Sequence, residues 1–136
     1  MNDTITLTGL VATTPKRLVT SEDLNVTSFR LAATQRRFDS ETQKWVDGDT
    51  NWYTITAFRD LAVNVIGSIV KGQRILVTGR LRVRDWATDD KSGTNVEVEA
   101  ETLGHDLRWG DAQFTHHTHA AQEPTAEAPA EEPTTV

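Results

Sequence analysis

The sequence predicts an all-β barrel of five strands with one short helix between the third and fourth, and three observations carry that expectation. Apolar and polar residues alternate at period two through most of residues 4–103, as side chains do on the two faces of a strand. One segment, 61–69, switches to helical spacing. Turn-forming clusters at Pro15, within 36–49 and at Asp89 to Gly93 cut the alternating runs into strand-sized pieces.

The first strand runs from Thr4 to Val11 with Ile5, Leu7 and Gly9 inward, and TTPKR after it reads as a turn at Pro15. The second covers Val26 to Thr34, where Phe29, Leu31 and Ala33 oppose Arg30 and Thr34. Arg36 to Asp49, RRFDSETQKWVDGD, is charged and turn-rich, so a long hairpin loop carrying Phe38 and Trp45 is expected. The third strand, Asn51 to Arg59, puts Tyr53, Ile55 and Ala57 on one side and Trp52, Thr54, Thr56 and Phe58 on the other.

Asp60 is placed to cap a helix in which Leu61, Ala62, Val65, Ile66 and Ile69 share a face, and Gly72 is placed to end it. The fourth strand, Gln73 to Trp86, turns Ile75, Val77, Gly79, Leu81 and Val83 inward and Arg80, Arg82, Arg84 and Trp86 outward. After the DDKSG turn the fifth strand, Asn95 to Leu103, sets Val96 and Val98 against Glu97, Glu99 and Glu101, an acidic side unsuited to nucleic acid. Five strands with a helix between the third and fourth is the order of the OB-fold, a Greek-key barrel whose second and third strands bind oligonucleotides.

The outward residues suggest what that face meets. A core cannot hold three unpaired arginines, so Arg80, Arg82 and Arg84 must be wet or meet an anion. Bases stack on aromatic rings with little regard to sequence, at roughly 1–3 kcal/mol each, while arginines track phosphates and also stack. Each of Trp52, Phe58 and Trp86 taken singly is explained as packing at a core end or a subunit interface. Packing leaves the arginine row unexplained, and rings beside arginines point to nucleic acid.

Composition bounds the alternatives. The chain has 136 residues and no cysteine, which excludes disulfides, thiolate metal sites and thiol catalysis and fits a reducing compartment. No apolar run is long enough to span a bilayer and no signal-peptide core is visible, so a cytoplasmic, nucleoid-associated protein is expected. The net charge of −6 is uneven. All 14 Lys and Arg lie at or before Arg108, leaving residues 1–108 near neutral, while the remainder holds acids and no base. A near-neutral body can still present a basic stripe. Residues 1–109 are therefore expected to form the binding domain, and 110–136, rich in Ala, Pro, Glu and Thr, a disordered tail.

The blocks TITLTGLVATTP, SFRLAAT, TNWYTITAFRDLAVNV, VKGQRILVTGRLRVRDW and VEVEAETLGHDLRW resemble the bacterial single-stranded DNA-binding protein family over roughly residues 3–109, with an actinobacterial look to DSETQKWVDGD and LGHDLRW. The resemblance implies base stacking on Trp52, Phe58 and Trp86, and phosphate contacts from Arg82, Arg84 and Lys71. Strand position alone adds Arg30, Arg74 and Arg80. The resemblance further implies single-stranded DNA as partner, a homotetramer, and roles in replication, recombination and repair. Two departures stand out. Many members carry another stacking tryptophan where this chain has Arg36, Arg37 and Phe38, so that subsite would use arginine stacking or Phe38. Family tails commonly end in an acidic run and a hydrophobic tip that docks onto replication and repair enzymes, whereas this chain ends EEPTTV, implying a specialised paralogue or a tail that works differently.

Rival readings have less support. His116, His117 and His119 cluster as chelating imidazoles do, without thiolates or a fixed geometry, so no metal or other cofactor is expected. No nucleophile, base or carboxylate pair forms a catalytic set, so an enzyme is not expected. An RNA-binding OB module, or an OB-fold assembly protein without DNA binding, remains open on the residues alone.

Overall fold

The computed structural model describes residues 3–117. In order they form β1 (Thr4–Val11), β2 (Lys16–Val19), β3 (Asn25–Asp39), β4 (Lys44–Phe58), α1 (Arg59–Ser68), β5 (Arg74–Ala87) and β6 (Ser92–His105). The sheet order is β1-β5-β6-β4-β3-β2, and β1 also pairs with β3 at Leu10↔Ala32 and Val11↔Leu31. That short pairing closes β1, β5, β6, β4 and β3 into a ring, the five-stranded OB barrel with α1 between its third and fourth members.

Alternation built the core as expected. Val11, Phe29, Leu31, Ile55, Ala57, Ile75, Val77 and Val98 point inward and are buried, while Ala62 and Val65 of α1 and Ile69 at its C-cap close one end. The one buried polar side chain among the described residues, Thr27, donates its hydroxyl to the Ala62 carbonyl at 2.8 Å, tying β3 to the helix. Gly79 lies at the register shift of the β5–β6 ladder. A Cβ there would fall 2.2 Å from the Glu99 carbonyl oxygen, so only glycine fits this ladder.

Five expectations need correction. The Pro15 turn is followed by β2, a fully exposed strand paired with the start of β3; without a buried face it has no alternation to read. Arg36 to Asp49 is not a long loop. β3 and β4 continue through it as a ribbon projecting past the core, paired down to Asp39↔Lys44, and with both faces in water its composition mimics a loop. Val83 is likewise exposed rather than inward, because the β5–β6 ribbon has left the barrel by that point. Finally, Phe58, not Asp60, occupies the N-cap position and makes no side-chain cap; Asp60 sits in the first turn, where its charge complements the helix dipole. Gly72, at φ 96°, serves the turn into β5, since α1 is already capped at Ile69.

β6 ends at His105, and residues 110–117 form no helix or strand. The rest of the expected tail, with His119 of the histidine cluster, lies outside the described residues. No helix among the described residues is long and apolar enough to cross a membrane.

Candidate nucleic-acid interface

Register places the outward residues in rows running across four strands. One row is Arg30 on β3, Thr54 on β4, Glu97 on β6 and Arg82 on β5. The next is Ser28, Thr56, Glu99 and Arg80. Trp52 and Phe58 belong to the same face of β4, opposite Ala32 and Val26 of β3. Trp52 is 49% exposed and the Arg30 guanidinium lies over its ring at 5.5 Å, so one cation already marks the indole as a stacking surface. Phe58 is half-buried where strand turns into helix.

The arginine row is not unpaired, contrary to expectation. β6 runs antiparallel beside β5 and presents its acids to it: Arg80 meets Glu99 and Glu101, each at 3.5 Å, and Arg84 meets Glu97 at 3.4 Å. The Nε of Arg80 is buried and lies at ion-pair distance from Glu101 without hydrogen-bond geometry. Of the row, only Arg82 has no carboxylate partner among the described residues. Strand alternation showed both charge sets in the sequence, but not that they sit side by side. The acids of β6 form a ridge between the Trp52–Arg30 side of the face and the arginines of β5.

Trp86 is held by an absence. It is the register partner of Gly93, and a Cβ at Gly93 would lie 2.7 Å from Cζ2 and 3.0 Å from Nε1 of the indole. The ring therefore rests directly on the β6 backbone with 41% of the residue exposed, and its orientation depends on the missing side chain. In the sequence Gly93 is a turn residue of DDKSG, and nothing local marks the seat it leaves for the ring.

The projecting β3–β4 ribbon separates two neighbouring candidates. Arg36 pairs with Asp47, their side chains 3.8 Å apart, and Phe38 pairs with Trp45, while Arg37 faces the reverse side opposite Val46. Arg36 also reaches a groove of about 310 Å³ where β1 diverges from β3, lined with Arg74, Arg108 and Trp109. There Arg74 stacks on Trp109 at 4.2 Å, a partner the sequence did not suggest. Lys71 stands exposed in the turn before β5, at the far end of that strand from Arg82.

A closed Greek-key ring with rings and guanidiniums displayed on its outer strands defines an OB-fold nucleic-acid-binding domain. The profile of the Single-strand binding protein family matches residues 1–106, and the chain belongs to that family. Single-stranded DNA-binding protein 2 of Tropheryma whipplei is 53% identical over 111 residues, 82% of this chain and 73% of the relative. Single-stranded DNA-binding protein 1 of Streptomyces coelicolor is 41% identical over 132 residues, 95% of this chain and 84% of the relative. Among solved structures, a small single-stranded DNA-binding protein from Streptomyces coelicolor superposes with TM-score 0.74 at 39% identity, covering 80% of this chain and 98% of its own. The second single-stranded DNA-binding protein of Mycobacterium smegmatis gives 0.65 at 26% identity, covering 85% and 100%.

Proposed function

We propose that this chain binds single-stranded DNA with little regard to sequence, coating and protecting exposed strands during replication, recombination and repair, and does no chemistry on them. Bases stack on Trp52, Phe58 and Trp86. Phosphates are met by Arg82 and Arg30, by Arg84 and Arg80 once their carboxylates yield, and by Arg36, Arg37, Arg74 and Lys71 where the strand passes the ribbon and the β1–β3 groove. The observation that carries this reading is Trp52, half exposed on the outer barrel face with a guanidinium over its ring. Membership of the family supports it.

β1 supports assembly into a homotetramer. One of its edges pairs with β5 from Thr4 to Leu10, whereas the other meets β3 only at Leu10 and Val11. Among the described residues the rest of that edge is unpaired, and its backbone groups are offered to a second copy. A place on nucleoid DNA in the cytoplasm goes with this function.

The test is tryptophan emission during titration with oligo(dT), with duplex DNA and matched RNA as competitors. Strong quenching relieved poorly by either competitor is expected, because duplex bases are already stacked and hidden. Absence of quenching would leave an OB-shaped assembly protein, and equal competition by RNA would make the strand chemistry unspecific.

A further inference from the structure

We propose that Trp45 is a further base-stacking residue, set beside the Phe38 position that the family resemblance already implies, so that the binding face runs beyond Trp52 to the projecting end of the β3–β4 ribbon. The proposal rests on the single-stranded DNA reading above.

Counting by twos from Trp52 along β4 gives Thr50, Gly48, Val46 and Lys44, which would put Trp45 on the reverse face. The ladder shows otherwise. Thr34 pairs with Thr50 but Arg36 pairs with Asp47, so Gln35 faces both Gly48 and Asp49 in a β-bulge. The extra residue resets the alternation. β3 runs on unbroken through Ala32, Thr34, Arg36 and Phe38, and their partners are Trp52, Thr50, Asp47 and Trp45. All eight therefore line one face. The bulge brings Trp45 to the side that carries Trp52 and Arg30.

The two ring residues stand open there. Trp45 is 61% exposed and Phe38 48%, and their rings meet edge to face at 5.6 Å and 71°. That contact fixes their orientation while leaving ring surface uncovered. Arg36 sits one outward pair closer to the barrel, held 3.8 Å from Asp47, within reach of a phosphate approaching the rings. Six residues of strand separate the Ala32–Trp52 pair from the Phe38–Trp45 pair, roughly 20 Å of ribbon. A single strand lying along it would meet an indole, a guanidinium and then a second ring pair. Continuity with Trp52 and Arg30 on one face favours unstacked bases as the occupant.

The experiment uses the full chain with Trp45 as its sole tryptophan, made by Trp52→Phe, Trp86→Phe and Trp109→Phe. Binding of labelled long oligo(dT) is followed separately by anisotropy. Quenching of Trp45 emission in step with binding is expected. In the otherwise native chain, Trp45→Ala should weaken long oligo(dT) by roughly 5- to 150-fold, with Trp45→Phe restoring most of it. Unchanged Trp45 emission while DNA binds, or unchanged affinity in Trp45→Ala, would overturn the proposal. So would a smaller assembly mass for Trp45→Ala without DNA, which would make the ring pair a subunit contact. A companion chain with Trp52 as sole tryptophan separates the levels: quenching there without quenching at Trp45 rejects only the extension, and none at either rejects stacking itself.

Discussion

Trp52 and Trp86 are both stacking candidates, yet they are held in different ways. Trp52 lies under Arg30, and Trp86 lies on Gly93. Trp52→Ala or Trp86→Ala should each cost about 1–3 kcal/mol of oligo(dT) affinity without altering its salt dependence, since a base lost from a ring releases no counterion. Gly93→Val should push the indole off the strand. Its affinity loss should approach that of Trp86→Ala, and the double variant should be no weaker than the worse single one, as a binding titration of the four proteins would show. Full additivity would mean that Gly93 does not position the ring. The aromatics were legible in the sequence because they interrupt a strand's polar face; the seat under Trp86 was not, because a glycine near a turn has a simpler explanation.

The pairing of β5 with β6 decides how much each arginine contributes. Arg82, without a carboxylate partner, should give up the larger electrostatic share: Arg82→Ala is expected to flatten the salt slope by about 0.7, and Arg84→Ala by less, because Glu97 already neutralises Arg84. Glu97→Gln should tighten binding and steepen the slope by freeing that guanidinium. These three variants in one salt series test the competition, and an unchanged or weakened Glu97→Gln would reject it. On the other side of the barrel, α1 is pinned through Thr27. Thr27→Val keeps the volume and loses the hydroxyl, so urea unfolding should show a loss of about 1 kcal/mol. The β3–β4 ribbon looks like a loop in the sequence because period two is imposed only where one face is buried, and both of its faces are wet. On β5 the alternation runs on past the barrel, so Val83 has an inward residue's spacing without a core to face.

At the level of the molecule, a ring of five strands needs two close approaches, β1 against β3 and β5 against β6. Gly79→Ala places a methyl into the Glu99 backbone, and a loss of at least about 1–3 kcal/mol in urea unfolding is expected as the ladder is forced apart. A Gly79→Ala chain as stable as the parent would mean that the crossing relaxes at no cost. The free edge of β1 predicts an assembly that is larger than one chain in sedimentation.

The order of residues alone carries the inward set of the barrel body, the helix position, the succession of the five barrel strands and the three rings on the outer face, because burial imposes a period on the chain. It carries neither β2 nor the exposure of Val83. Which charges meet follows from the folded pairing of β5 with β6. Arg80 is 19 residues from Glu99 along the chain and its direct partner across the ladder, and Trp45 turns toward Trp52 through a bulge that no local pattern announces. Pairing, register and bulges are set between strands, so they are written in no single segment.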